Sequence, residues 1–168
     1  GLHITLFYKN RKLISKTKVP AKVMSSKPKS NYIIAAFDVN GNIAVFVTQA
    51  AGSDGLSLWR LVVNGNDAAL ISEEKLTEED GYFTVRKDEY SDNYAIVRRS
   101  FGKKVYNGVE VIHFGADHTI VNKSKLDLDK EYEVIGVRDM CVENRLATTL
   151  CLVGFRDDKT EVADLVVA

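Results

Sequence analysis

The side chains best placed to do chemistry form two cationic clusters and one pair of histidines. Residues 1–30 hold Lys9, Arg11, Lys12, Lys16, Lys18, Lys22, Lys27 and Lys29 and neither Asp nor Glu. The second cluster is Arg98-Arg99-Ser100-Phe101-Gly102-Lys103-Lys104, with Tyr94 and Tyr106 close by in sequence. Cations of this kind neutralise phosphates, and a base stacked on an aromatic ring gains about 1–3 kcal/mol. If Phe101-Gly102 tips a hairpin, its arms carry the cations and its ring sits among them. The competing reading gives the lysines and arginines to solubility and turns the rings inward; charged edges also keep strands from pairing with other molecules.

His113 and His118 flank Gly115, with Asp117 beside the second imidazole. Two imidazoles and a carboxylate are metal-ligating types, but the spacing matches no established ligand signature. A hydrogen-bonded histidine pair is the expectation, and no metal or cofactor is assigned. Asp38-Val39-Asn40-Gly41-Asn42 has the look of a calcium loop, yet its glycine comes early and Gln49 stands where the last ligand should be. It reads as a hairpin turn. Neither cysteine, Cys141 or Cys151, has a histidine nearby in sequence, and no Gly-x-Ser-x-Gly elbow occurs. Met140, Val142, Leu150 and Leu152 surround the cysteines, which suits buried reduced thiols. Gly52-Ser53-Asp54-Gly55 carries an acid and no lysine, so it would repel phosphate. An enzyme, an unrecognised hydrolase for instance, would have to gather His113, Asp117, His118 and a thiol from distant strands. The expectation is that the chain is not an enzyme.

Charge segregation is the broader signal. The 168 residues balance 23 basic against 23 acidic side chains, which leaves 15 basic against 23 acidic in residues 31–168. A cationic segment on an anionic body points to a polyanionic partner, or to an arm that docks on an acidic surface.

These groups must be positioned by strands. Asn40-Gly41 and Asn64-Gly65 are strong hairpin signals, since both central residues of a type I′ turn need positive φ. Val-Asn-Gly-Asn occurs at 39–42 and again at 63–66, which reads as reused turn chemistry rather than a solenoid repeat. Asn31-Tyr32-Ile33-Ile34 recurs loosely as Asn93-Tyr94-Ala95-Ile96. Trp59 shares a face with Leu61 and Val63 on a two-residue alternation, so it reads as a core residue. Ser72–Asp80 alone has helical composition, with Ser72 as its cap and Gly81 as its end. Pro20 and Pro28 bracket Ala21–Lys29, a polar stretch that reads as a linker.

The fold expected is all-β, a mostly antiparallel sandwich or barrel of about eleven short strands with one short helix near 72–80. Residues 1–30 form a basic N-terminal segment, hairpin plus linker, and 31–168 a β domain with two halves conceivable about a split near 80–92. The function expected is that of a non-enzymatic β domain binding a polyanion, nucleic acid foremost. Lys9, Arg11, Lys12, Lys16 and Lys18 would supply contacts from the first cluster. Arg98, Arg99, Lys103 and Lys104 would hold phosphates in the second, with Phe101 or Tyr106 stacking on a base. The alternative is a viral or phage structural protein, an oligomer whose basic arm lies on the acidic body of a neighbour. No apolar run approaches the roughly 20 residues that span a bilayer, and Gly1-Leu2-His3 does not open a signal peptide. A soluble intracellular protein, virion-associated under the assembly reading, is the expectation, with no membrane partner.

Overall fold

The computed structural model describes residues 2–7, 13–25, 31–50, 55–77, 81–100, 108–127, 132–143, 148–157 and 160–167. The chain divides into two compact units, Gly1–Glu79 and Asp80–Ala168. Both are built of antiparallel strands, so the all-β expectation holds. Thirteen strands and a single four-residue helix occur among the described residues.

In the first unit, β1 (Leu2–Phe7) and β2 (Leu13–Val19) form a hairpin, and α1 (Lys22–Ser25) follows. Next come β3 (Asn31–Val39), β4 (Asn42–Ala50), β5 (Leu56–Asn64) and β6 (Leu70–Lys75), each paired antiparallel with its predecessor. Asn40 and Gly41, at φ 51° and 75°, turn β3 into β4 as a two-residue hairpin. The second Asn-Gly behaves differently. Ala68 takes the left-handed conformation at φ 63° while its N–H donates to the Asn64 carbonyl, so the turn is longer and β6 starts only at Leu70. Burial of Ala68 in the core fixes that geometry.

The core explains the pairing. Val45 and Val47 of β4 and Leu61 and Val63 of β5 form one apolar face, against which Leu2, Val19, Ala21 and Val23 pack. Each fully buried aliphatic side chain of this kind contributes about 1.5–3 kcal/mol. Trp59 lies at the margin of the same cluster, with Leu61 and Val63, and its indole N–H donates to the Ser57 hydroxyl at 3.2 Å.

Two expectations are corrected here. Ser72–Lys75 is strand, not helix, and residues 78–80 lie outside the described part. A two-turn helix is marginal by itself in water, whereas β6 gains the ladder with β5 and a direct pairing of Glu74 with Arg60. That pair closes at 2.6 Å on a buried guanidinium. The stretch read as a linker contains α1, and it is anchored: both Glu73 carboxylate oxygens accept backbone N–H groups, from Lys22 at 2.9 Å and Val23 at 2.6 Å. The Val23 carbonyl in turn accepts the amide groups of Asn31 and Gln49.

In the second unit, β7 (Gly81–Lys87), β8 (Tyr94–Ser100), β9 (Gly108–Phe114) and β10 (Ile120–Asp127) pair in sequence order. A separate sheet holds β11 (Tyr132–Glu143), β12 (Thr148–Asp157) and β13 (Thr160–Val167), again in order. No described sheet closes on itself as a barrel. Cys141 stands opposite Leu150 and Cys151 opposite Met140, on successive rungs that belong to opposite faces. Asn31 opens the first strand of its sheet, whereas Asn93 precedes the second strand of the other, so the loose similarity of those segments aligns non-equivalent strands.

Candidate polyanion-binding surface

The β1–β2 hairpin has an apolar inner face and a polar outer one, because side chains alternate with period two. Leu2 pairs with Val19, and both are buried. On the other set of rungs Lys18 stands opposite His3 and Lys16 opposite Thr5, and all four are exposed. Thr17, between the lysines, donates its hydroxyl to the Asp67 carbonyl. The hairpin therefore presents Lys16 and Lys18 on one solvent-facing side, with His3 beside them. Lys22 is exposed as well. Lys9, Arg11 and Lys12 lie outside the described residues.

The second cluster is arranged otherwise. Arg98 is 4% exposed, and its Nε donates to Glu110 Oε2 at 2.9 Å across the β8–β9 pairing. Lys123 Nζ of β10 reaches the other oxygen, Oε1, at 2.9 Å. Burial pushes the Glu110 carboxyl up, but hydrogen bonds from Lys123 and Arg98 and their charges outweigh it and hold it below the ordinary value. A phosphate would have to displace Glu110 to reach Arg98. Arg99, on the opposite face, is partly buried with its guanidinium 4.6 Å from the centre of the Tyr82 ring. Phe101, Lys103, Lys104 and Tyr106 lie outside the described residues. Lys16 and Lys18 belong to the first unit, Arg98 and Arg99 to the second.

The histidines do not form a pair with each other. His118 sits in the β9–β10 turn at φ 68°, with Nδ1 3.0 Å from the Tyr94 hydroxyl. Tyr94 is buried and stacks on Phe114 with ring centroids 5.0 Å apart, so this ring belongs to the core rather than to a base-stacking surface. Asp117 accepts the hydroxyl and the N–H of Thr119, and these hydrogen bonds lower its pKa. His113 is buried in β9; burial lowers its pKa, opposed by the nearby Asp88 carboxylate. Among the described residues no three His, Cys, Asp or Glu side chains converge on a metal-sized position.

Three features escaped the sequence reading. Tyr32, Ile33 and Ile34 of β3 are exposed in succession; the bulge between Ile33 and Ala35 breaks the alternation that would have turned half of them inward. Tyr90 caps a short loop braced by Asp88, which accepts from the Tyr90 N–H and the Ser91 hydroxyl. Its ring is 93% exposed. The third is the Tyr82–Arg99 stack, which register alone would have revealed, since the two residues are cross-strand partners. No described helix is long and apolar enough to cross a membrane. No protein-family model, curated protein or solved structure matches the chain.

Proposed function

We propose that the chain is a non-enzymatic β protein that binds a polyanion, nucleic acid foremost, through the outer face of the β1–β2 hairpin and the basic segment around it. The observation that carries this reading is the pair Lys16 and Lys18, exposed side by side within thirty residues that hold eight cations and no acid. The apolar inner face and the Glu73 clasp on α1 support it, because they position the cations without using their ammonium groups. Contact with about five phosphates gives a salt slope near −3.5, so affinity for a single strand falls about a hundredfold between 50 and 200 mM salt. Anisotropy titrations with labelled single-stranded DNA and RNA test this. Absence of binding at low salt overturns it.

A second reading, assembly with further copies, is favoured by β3. It is a terminal strand of its sheet, and Tyr32, Ile33 and Ile34 are 61%, 50% and 38% exposed. Its first charged residue is Asp38. An apolar edge of this kind is a template for pairing. Sedimentation distinguishes the readings: a salt-sensitive oligomer with no affinity for nucleic acid supports assembly.

A further inference from the structure

The strands recur with a period that the residue identities conceal. First strands β3, β7 and β11 start at residues 31, 81 and 132, and second strands β4, β8 and β12 at 42, 94 and 148. Third strands β5, β9 and β13 start at 56, 108 and 160, and fourth strands β6 and β10 at 70 and 120. Every interval lies between 50 and 54 residues. The two complete sets also bury the same members. Ala44–Thr48 of β4 and Tyr94–Arg98 of β8 are buried without a break, while the fourth strands are largely exposed. Four-stranded antiparallel meanders repeated at about this spacing are the blades of β-propellers. The third set stops at three strands among the described residues, with β13 at the edge of its sheet.

Residue identities confirm the equivalence of β13 with β5. Leu61-Val62-Val63 reappears as Leu165-Val166-Val167, and the two strands start the same distance ahead of that triplet. On this alignment Asp164 takes the place of Arg60, and in β9 that place is held by Ile112. The fourth strands show what each chooses. Arg60 stands opposite Glu74, and Ile112 opposite Lys123. Both fourth strands open with two aliphatic residues, Leu70-Ile71 and Ile120-Val121, and continue with polar and charged ones.

We propose that the outer edge of β13 is a docking edge for a fourth strand supplied by a partner protein, running antiparallel, with aliphatic residues near Val167 and a cation opposite Asp164. The ladder supplies affinity through backbone hydrogen bonds, and the position opposite Asp164 supplies selectivity. This proposal does not depend on the polyanion reading, since its ligand is a cationic peptide and its site lies in the second unit.

The test uses the full chain and three labelled peptides: one copying Ala69–Leu76, the same peptide carrying Glu74→Lys, and the latter with its lysine moved one position. Saturable binding should be strongest for the Glu74→Lys peptide and at least fivefold weaker for the other two. Amide exchange should slow at alternate residues of β13 when that peptide is bound. Asp164→Lys in the full chain should invert the preference towards the Glu74 peptide, and the peptide-side exchange still decides the matter if that variant folds poorly. Equal binding of all three peptides, no saturable binding, or protection confined to other strands overturns the proposal. Protection of β13 in a dimer of the chain, without peptide, overturns it as well and assigns the edge to a second copy.

Discussion

A methyl group on Gly65 would run into the carbonyl oxygen of Gly41, so the two Asn-Gly turns of the first unit touch backbone to backbone. Gly41 itself faces open space and needs glycine for a different reason, its φ of 75°. Gly65→Ala should therefore cost about 1–3 kcal/mol by overpacking against main chain that cannot swing aside. Gly41→Ala should cost about 1 kcal/mol, from left-handed backbone alone. Urea unfolding of the two variants measures the difference.

Glu110 holds a buried guanidinium and an exposed ammonium at once. Glu110→Ala should destabilise the protein by about 3 kcal/mol, because Arg98 would be left as an uncompensated buried charge. Lys123→Ala should cost no more than about 1 kcal/mol, since that side chain stands in solvent. Thermal melts of both variants at neutral pH check the ratio.

The same carboxylate predicts an acid response. Its pKa is lowered on folding from the ordinary 4.5, so the unfolded chain takes up a proton before the folded one does. The stabilisation is complete above that value and is lost as pH falls through the folded pKa. Glu110→Gln should flatten this part of the stability profile, read from denaturant midpoints at a series of acidic pH values.

His113 acts in a higher window. Folding lowers its pKa from 6.5, so below that value the unfolded chain binds a proton that the buried imidazole refuses. Stability should be full above pH 6.5 and decline as pH falls towards the folded pKa. His113→Gln should remove that decline while costing stability at neutral pH. Denaturant midpoints between those conditions measure both effects.

Charge reversal tests the hairpin. Lys16→Glu with Lys18→Glu should weaken single-strand binding and reduce the salt slope by about 1.4, the share of two phosphate contacts. Circular dichroism should be unchanged, because both side chains are exposed and neither belongs to the apolar inner face. An unaltered salt slope would remove these lysines from the interface.

The strand-rich character and the Asn40-Gly41 turn were legible because period-two patterns and obligatory positive φ leave marks on residue type. The supposed helix at Ser72 shows the limit: Glu73 and Glu74 look helical in a window, and their partners Val23 and Arg60 lie far away in sequence. Arg98 shows it again, since its commitment to Glu110 depends on cross-strand register. The repeat of the meanders is hidden for another reason. Strand positions are equivalent while their side chains differ, Arg60 against Ile112 against Asp164, because each set has only to match its own neighbours.

Glu73 clasps α1 by its main chain alone. Backbone amides carry no identity, so the anchor is indifferent to which side chain stands at position 22. Natural variation or an engineer could rewrite the cations after the hairpin, residue by residue, and the latch would keep its grip. What the arm recognises and how the arm is fastened are thus separately editable.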